Sequence, residues 1–375
     1  MWKNRVLWLC LTLSAVALYL FGNSAATFAV LMAAIFAPVL SIASAFLFLR
    51  GVKAALELPG SCAAGDTVEA RLELSGGRLM PSVDCTLAVE NVYTGERVER
   101  ELTAGHDGAV IKLTPSHCGL VRVSTAAVRM RDPLGLVRLR AKASAEREIL
   151  VEPRRFEMRI TLADDVDITA ESDEYSMTKP GSDPSETFGV REYQLGDPIK
   201  RIHWKLSQKS QNLMLRELGL PIVHRALILL ETTFPEGENP RPEPLHAAAE
   251  VFFSVSTALC EQETAHVAAW RRGETLVCRE IATVEDAAAA AAEWLSEPTR
   301  ARGPSIAELY AETFERCGYA HVAVISPCAP RGVELLYGGN RVTALCPYGG
   351  AGLEGVHLRV FSDKNYAADL REWEF

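Results

Sequence analysis

The chain is organised around one stretch, which reads Phe188-Gly-Val-Arg-Glu-Tyr-Gln-Leu-Gly-Asp-Pro-Ile-Lys-Arg-Ile-His-Trp-Lys-Leu-Ser-Gln-Lys-Ser-Gln-Asn-Leu-Met-Leu-Arg-Glu217. It places basic side chains around a single His and a single Trp, and these are Arg191, Lys200, Arg201, Lys205, Lys209 and Arg216. The whole chain has a formal net charge of -9. The stretch is therefore locally basic in a chain that is acidic as a whole.

The same stretch predicts a strand, a turn, a short helix and a second strand. The strands are expected at residues 188–193 and 213–218, with a Leu-Gly-Asp-Pro turn after the first. Apolar side chains recur between them at helical spacing, at Ile199, Ile202 and Leu206. We expect Asp197 to cap this helix and Pro198 to begin it, because Asp accepts the free amides of a first turn and Pro has no N–H to lose there.

The polar side chains of the stretch allow three interpretations. In a catalytic one, His203 is a general base oriented by a carboxylate, and Lys205 or Arg201 holds an anion. In a binding one, the basic side chains form a surface for an acidic partner. In a structural one, Asp197 caps the helix, His203 is half-buried beside its apolar face, and the basic side chains are a solvated face. The structural interpretation is the simplest for the residues alone.

Trp204 lies off the expected apolar face of the helix, which makes it a candidate anchor for an interface. It could equally wedge the stretch against a neighbouring domain. The candidate partner-binding residues are Arg191, Tyr193, Asp197, Arg201, His203, Trp204 and Lys205. We expect no nucleic-acid partner, because the basic patch is small and the chain as a whole is acidic.

The amino end predicts a pair of transmembrane helices. Residues 6–49 are almost wholly apolar and are broken only by Gly22-Asn23-Ser24, which supplies about two spans of ~20 residues. Basic residues flank both ends of the pair, and they are Lys3, Arg5, Arg50 and Lys53. The positive-inside rule then places both ends in the cytoplasm. A cleaved signal peptide fits the first span loosely, but the second span would still stop transfer.

Residues 54–160 predict a β-sandwich. Apolar side chains alternate with charged ones from Val68 to Leu74, and the alternation recurs over residues 83–90. Such a pattern buries one face of a strand and leaves the other in water. Roughly seven or eight short strands with turn residues between them predict a sandwich of the immunoglobulin-like kind. One of these turns, Asp132-Pro133-Leu134-Gly135, has the residue types of a tight turn.

Residues 161–187 predict an acidic linker. Its acidic side chains are Asp164, Asp165, Asp167, Glu171, Asp173, Glu174, Asp183 and Glu186, and Lys179 is its single base. This composition buries little and is typical of a solvated linker. A sharper hypothesis is that the linker docks on the basic stretch and competes there with an acidic partner.

Residues 221–375 predict an α/β domain. The run His-Arg-Ala-Leu-Ile-Leu-Leu-Glu at 224–231 resembles a central parallel strand that ends in an acid. Helical patterns follow at residues 245–261, 284–296 and 306–315, and strand patterns at 266–270, 275–280, 320–326, 341–346 and 356–361. This alternation predicts a doubly wound sheet.

The cysteine pattern and the absence of several catalytic motifs speak against some functional classes. The chain has nine cysteines and no Cys-x-x-Cys pair, which indicates a reducing compartment and small buried thiols rather than a disulfide framework. It has no phosphate-binding Gly-x-x-x-x-Gly-Lys-Ser/Thr, no His-Glu-x-x-His and no Gly-x-Ser-x-Gly. We expect no cofactor.

One ordered pattern resembles a known family. Arg191-x-Tyr193-x-x-Gly196-Asp197-x-x-x-x-Ile202-His203-Trp204-Lys205 is similar to the signature of the bacterial family called domain of unknown function 58. The chain departs from that signature at Ser207-Gln208-Lys209, where members of the family usually continue Ser-Ala-Arg. The segment around the Asp132 turn also resembles the part that precedes the signature in this family.

The resemblance implies that residues 221–375 are similar to a von Willebrand factor A domain. Such domains build a metal site from Asp-x-Ser-x-Ser at the end of the first strand, whereas this chain has Glu231-Thr232-Thr233-Phe234-Pro235. Glu is one methylene longer than Asp, and Pro has no hydroxyl for a cation that prefers oxygen ligands. We therefore expect a degenerate site at Glu231 and Thr233 that holds no metal.

Together these features predict a protein of the bacterial inner membrane with cytoplasmic soluble domains. The expected order is a two-helix hairpin (1–53), a sandwich (54–160), the linker (161–187), the basic signature (188–220) and the α/β domain (221–375). We expect a non-enzymatic scaffold or adaptor, and the resemblance implies a MoxR-type AAA+ ATPase as its partner. The alternatives are a metal-dependent ligand-binding A-type domain and a hydrolase that uses His203.

Overall fold

The structure is a computed structural model, and it describes residues 2–22, 24–49, 52–75, 83–105, 108–141, 143–162, 183–194, 196–210, 212–219, 226–299, 302–314, 319–338, 340–349 and 355–375. The chain divides into two compact units. Unit 1 comprises Met1–Arg154, Pro240–Pro242 and Leu295–Thr299, and unit 2 comprises Arg155–Asn239, Glu243–Trp294 and Arg300–Phe375. Most of the expected acidic linker lies outside the described residues.

Unit 1 begins with two long apolar helices, α1 (Trp2–Gly22) and α2 (Ala25–Leu49). Both are long and apolar enough to cross a membrane. They lie against each other, and the rings of Tyr19 and Phe28 are 5.7 Å apart. Most of their large apolar side chains are exposed. The pair of apolar helices that the sequence predicts is confirmed.

A set of strands follows in unit 1. They are β1 (Lys53–Glu57), β2 (Ser61–Ala63), β3 (Val68–Ser75), β4 (Val83–Asn91), β5 (Arg97–Ala104), β6 (Ala109–Leu113), β7 (Gly119–Arg131), β8 (Arg138–Ala141) and β9 (Glu146–Glu152). One sheet has the order β1-β3-β6, and a second has the order β2-β9-β7-β4-β5 with β8 also paired to β7. Apolar and polar side chains alternate along these strands, and β3 accordingly buries every second side chain.

The two sheets share one hydrophobic core, as in a β-sandwich. Leu72 of one sheet and Leu87 and Val123 of the other are fully buried in it. Ala45, near the end of α2, is buried in the same core. The last part of α2 therefore belongs to the sandwich as well as to the helical pair.

The turn between β7 and β8 has the geometry that its residue types predict. Gly135 N donates to Asp132 O at 2.8 Å, which closes a four-residue turn with Pro133 in its second position. Gly135 has a φ of +67°, and a Cβ there would approach Asn4 Nδ2 to 2.5 Å. Asn4 Nδ2 in turn donates to Leu134 O at 3.2 Å. The turn thus lies directly against α1.

Hydrogen bonds join the same turn to both helices. We call the bond from α2 to the turn the Ser41–Asp132 contact. Asp132 is 3% exposed, and its two carboxylate oxygens accept from Ser41 Oγ and from Val137 N, each at 2.6 Å. From α1, Arg5 Nε donates to Leu136 O at 2.7 Å. Burial alone would raise the pKa of Asp132, but the bonds from Ser41 and from the turn amides outweigh it and lower the pKa.

Unit 2 begins with β10 (Arg159–Thr161) and then a hairpin. The hairpin consists of β11 (Asp183–Glu192), a 3-10 turn at Ile199–Arg201, α3 (Trp204–Ser210) and β12 (Met214–Gly219). β11 and β12 pair in antiparallel fashion, so the two strands predicted here are confirmed.

The helix predicted between these strands differs from the structure in two ways. It is split, because Ile202 leaves the helical path and forms a β-bridge with Leu215. The predicted apolar face is consequently wrong, since Ile202 is buried whereas Ile199 is 65% exposed. Asp197 is not a helix cap either, because the 3-10 turn begins after Pro198 without a side-chain cap.

The rest of unit 2 alternates strands and helices. Its elements are β13 (Ala226–Leu230), α4 (Pro242–Glu261), β14 (His266–Arg272), β15 (Thr275–Ile281), α5 (Val284–Trp294), α6 (Ile306–Thr313), β16 (His321–Ile325), β17 (Arg341–Cys346), β18 (Val356–Val360), α7 (Tyr366–Asp369) and β19 (Glu372–Glu374). β13 and β16 are buried along their whole length, as central strands of a parallel sheet require.

The sheet of unit 2 has the order β15-β14-β13-β16-β17-β18. Neighbouring strands are parallel except for β15 at the edge. The chain moves outward from β13 to β14 and β15, and then returns to β16 on the other side of β13. This reversal makes a switch point at the carboxyl ends of β13 and β16, where open α/β sheets usually bind ligands.

Candidate functional site

The hairpin β11–β12 carries every candidate partner-binding residue. Arg191 lies opposite Leu215 in the strand pairing, and Tyr193 N donates to Leu213 O at 2.8 Å where the strands end. Leu215 is buried together with Ile202, its bridge partner. These two side chains hold the segment between the strands against β12, so the connection has a fixed backbone.

A charge cluster stabilises the first half of this connection. Arg191 donates to both oxygens of Asp197, with Nη1–Oδ2 and Nη2–Oδ1 each at 2.7 Å, and its Nε lies 3.3 Å from Glu217 Oε1. Asp197 also accepts from Gln194 N at 2.8 Å. The bidentate bond from Arg191 lowers the pKa of Asp197, and the nearby charge of Arg201 adds to this effect. Arg191 and Asp197 thus neutralise each other.

His203 begins α3 in the position of a helix cap. Its ring Nδ1 faces Leu206 N at 3.3 Å, and its carbonyl accepts from Ser207 N at 3.0 Å. On the other side, His203 N donates to Met214 O at 2.7 Å, and Ser207 Oγ accepts from Met214 N at 2.8 Å. His203 and Ser207 therefore bind α3 to β12, which is a structural role.

The outer surface of the hairpin is basic and carries a large exposed aromatic side chain. Trp204 is 60% exposed. Exposed around it along the chain are Ile199, Lys200, Lys205, Leu206 and Lys209. Within the described part of the chain, no carboxylate forms an ion pair with any of these three lysines. We call these residues, with Arg201 and Trp204, the Trp204 surface.

The ring of His203 faces the backbone of its own helix. A catalytic His needs a group that orients its ring and a substrate site within about 3 Å. Here Nδ1 faces a backbone amide of its own helix, and no carboxylate among the described residues contacts the ring. Asp197, the carboxylate nearest in the sequence, is bound by Arg191 instead.

The switch point of the α/β sheet is the second candidate region, and Glu231 lies at its centre. Glu231 is 4% exposed. Its Oε1 accepts from Thr232 N, Thr233 N and Thr233 Oγ1 at 2.9, 2.8 and 2.6 Å, and its Oε2 accepts from Ile306 N at 2.7 Å. The carboxylate thereby joins the end of β13 to the start of α6. Four N–H and O–H groups thus donate to this one carboxylate.

A guanidinium occupies the neighbourhood of Thr233. Arg331 Nη2 donates to Thr233 Oγ1 at 3.0 Å, so this hydroxyl oxygen faces a fixed positive charge. Cys328 Sγ lies 3.6 Å from Thr233 O, and burial raises the pKa of Cys328 to about 11. No group of three or more His, Cys, Asp or Glu side chains in the described residues is arranged to hold a metal.

The structure adds residues that the sequence did not indicate. Glu217 joins Arg191 across the hairpin because the strand pairing places Glu217 opposite Gly189, two residues from Arg191 on β11. Ser207 bonds β12 through its hydroxyl. The alternation of the second strand could have indicated that Glu217 shares a face with Leu215, but its partner depends on the register.

Comparisons with known proteins do not assign this chain to a family. No family model matches the chain, and a search of curated proteins found no match. Among solved structures, one similar chain is the CARDB domain of the PF1109 protein from Pyrococcus furiosus, solved in complex with di-metal ions. It shares 16% sequence identity, covers 27% of this chain and 86% of its own length, and has a TM-score of 0.19. A likeness of this size carries no conclusion about fold or function.

Proposed function

We propose that the protein is a membrane-anchored, non-enzymatic scaffold or adaptor that binds an acidic protein partner through the Trp204 surface. The observation that carries this proposal is the exposure of Trp204 among lysines that form no ion pair with any described carboxylate, on a hairpin in which Arg191 is already paired with Asp197. Large aromatic side chains with basic neighbours are typical of the centre of protein interfaces.

The distribution of charge in the hairpin supports a binding role over a purely structural one. The cations that stabilise the fold are paired, as Arg191 is with Asp197 and Glu217. Lys200, Lys205 and Lys209 are exposed instead. Unpaired charge at the rim of an interface steers association and sets specificity. The partner is therefore expected to present carboxylates around an apolar pocket that accepts an indole.

The anchor is the pair α1–α2. Each helix is long and apolar enough for a span, and Lys3, Arg5 and Lys53 flank the pair. Under the positive-inside rule both ends lie in the cytoplasm. The protein is then a multi-pass protein of the bacterial inner membrane, with the sandwich next to the cytoplasmic leaflet.

Family membership is part of the proposal. The signature around His203 supports membership of the domain of unknown function 58 family, an immunoglobulin-like type for the sandwich and a degenerate von Willebrand factor A type for the α/β sheet. The strand order with a switch point between β13 and β16 agrees with the last of these. Family resemblance also points to a MoxR-type AAA+ ATPase as the partner.

The test is a binding measurement with the full chain in lipid nanodiscs. Wild type is compared with Arg201→Glu/Lys205→Glu and with Trp204→Ala, using a purified MoxR-type ATPase from the same genome. We expect both variants to bind at least tenfold more weakly, and we expect wild-type binding to weaken as salt is raised. A pull-down from membranes, followed by identification of salt-sensitive partners, extends the test to other proteins.

The matched control is Lys364→Glu/Arg371→Glu. Both residues are exposed in unit 2, and the double reversal changes the net charge by the same amount. If this control weakens binding as much as the hairpin reversal does, the interaction depends on overall charge and the Trp204 surface is not the site. Equal binding by all variants contradicts the proposal outright.

A further inference from the structure

A cleft opens in unit 1 on the side where the sandwich is not closed. β5 ends one sheet and β6 ends the other, and the cleft lies between them. Its volume is about 220 Å³. Its floor is apolar and is formed by Val68, Val89, Val98, Leu113, Val121 and Ile149. The cleft thus gives access to the edge of the sandwich core.

A cationic side chain projects from the core face of β5 into this cleft. In the pairing with β4, Val98 lies opposite Val89 and Arg100 lies opposite Leu87. Leu87 is fully buried in the core, and side chains directly opposite each other share a face. Arg100 therefore stands on the inward face, where an apolar residue is expected. Arg100 lines the cleft. No hydrogen bond or ion pair joins its guanidinium to any described residue.

The backbone beside the cleft is also unpartnered. Over the described residues, β5 pairs with β4 on one side and with no strand on the other. Alternate amide and carbonyl groups along this edge can therefore receive an added strand. The side chains that an added strand would meet on the inward face are Val98, Arg100 and Leu102.

We propose that β5 receives an extended peptide segment of a protein partner as an additional strand of the sheet. The segment reads apolar-x-acidic-x-apolar, so that its acidic side chain pairs with Arg100, one apolar side chain enters the cleft beside Val98, and the other packs along the strand against Leu102. The lining also contains Lys112 and Glu96, and the Glu96 carboxylate lies 3.1 Å from His117 Nδ1. This site is separate from the Trp204 surface, which lies in unit 2.

The volume of the cleft favours a peptide over a small molecule. Pockets for whole ligands usually measure about 300–1,000 Å³, whereas this cleft is about 220 Å³. It has room for individual side chains that enter from outside. A peptide also satisfies both the free strand edge and the unpaired guanidinium, and a short-chain fatty acid satisfies only the latter.

A charge exchange tests the proposal on the full chain in nanodiscs. Two labelled seven-residue peptides alternate valine and threonine, and the central inward residue is Glu in one and Lys in the other. We expect wild type to bind the Glu peptide at least tenfold more tightly than the Lys peptide. We expect Arg100→Glu to reverse this preference. Arg97→Glu is the matched control, because Arg97 lies on the same strand as Arg100 but on its outward face. The Arg97→Glu variant should retain the wild-type preference.

Three results would overturn the proposal. The first is that neither peptide binds wild type at millimolar concentration. The second is that Arg100→Glu keeps the preference for the Glu peptide. The third is that octanoate binds wild type in an Arg100-dependent manner while both peptides fail to bind. In the first case Arg100 serves only to prevent pairing of exposed edges, which is a known use of an inward charge. In the last case the cleft is a site for a small amphiphile.

Discussion

Replacing Glu231 with Gln tests the description of the switch point. The carboxylate receives four hydrogen bonds, three at Oε1 and one at Oε2. A Gln amide supplies one oxygen, which is best placed at the three-donor side. Its NH₂ group then faces Ile306 N, which is also a donor. The substitution therefore removes one bond to a charged group and leaves a buried amide without an acceptor.

The cost follows from these contacts. A hydrogen bond to a charged group contributes about 1.5–3 kcal/mol, and a buried donor without a partner costs about 1–3 kcal/mol. The two effects overlap, so we expect a loss of about 3 kcal/mol in the free energy of unfolding. For a domain of this size, 1 kcal/mol lowers the melting temperature by about 2–4 °C. The expected decrease is therefore about 6–12 °C.

The assay is thermal unfolding of the full chain in nanodiscs, followed by tryptophan fluorescence. Trp270 and Trp294 are buried in unit 2 and report its unfolding. The control is Glu238→Gln, since Glu238 is an exposed glutamate that follows the same strand, and it should change the midpoint by less than about 2 °C. A midpoint for Glu231→Gln within 1–2 °C of wild type would refute the reasoning. So would a Mg²⁺-dependent stabilisation of wild type that Glu231→Gln abolishes.

Three further outcomes are expected. Because the pKa of Asp132 is lowered, its charge stabilises the fold at every pH above the unfolded pKa of about 3.9. This stabilisation disappears as the pH falls through the lower pKa of the folded state. The difference in unfolding midpoint between wild type and Asp132→Asn should therefore be present at pH 7 and shrink below about pH 4. Asp197→Asn removes the charge that binds Arg191, so limited proteolysis should cut the hairpin faster in this variant at pH 7, and equal rates would show that the ion pair is dispensable. Trp204→Ala should change the free energy of unfolding by no more than about 0.5 kcal/mol, since the side chain is 60% exposed; a loss above about 1 kcal/mol in chemical denaturation would assign Trp204 a structural role.

The strands could be predicted from the sequence because their signals are local. Val68 to Leu74 alternate with charged residues, and the structure buries every second side chain there. The continuous apolar run before Glu231 likewise gave a fully buried parallel strand. Short edge elements such as β1 and β2 were missed, since three to five residues give too little pattern to separate a strand from a loop.

The site depended on contacts that a sequence pattern does not contain. Ile202 has the right spacing for a helical face, but a β-bridge to Leu215 competes with the helix and splits it. Asp197 has the residue type of a cap, but Arg191, six positions earlier, binds its carboxylate. Glu231 ends an apolar run that predicts a strand, whereas its bond to Ile306 N spans 75 positions in the chain. In each case a partner distant from the local pattern decides the role.

Under the proposed membrane anchoring, the Ser41–Asp132 contact limits how much of α2 is available to a bilayer. Because Ser41 and Ala45 contact the sandwich, the part of α2 that is free of the sandwich runs from Ala25 to about residue 40, and beyond it only the opposite face, with Phe46 and Leu47, is exposed. Sixteen helical residues span about 24 Å, which is less than the ~30 Å of hydrocarbon in a typical membrane. The surrounding lipid must thin around the protein to cover this length, or the lower rim of the sandwich must sink into the headgroups. Thin membranes will therefore accept the anchor with less distortion than thick ones.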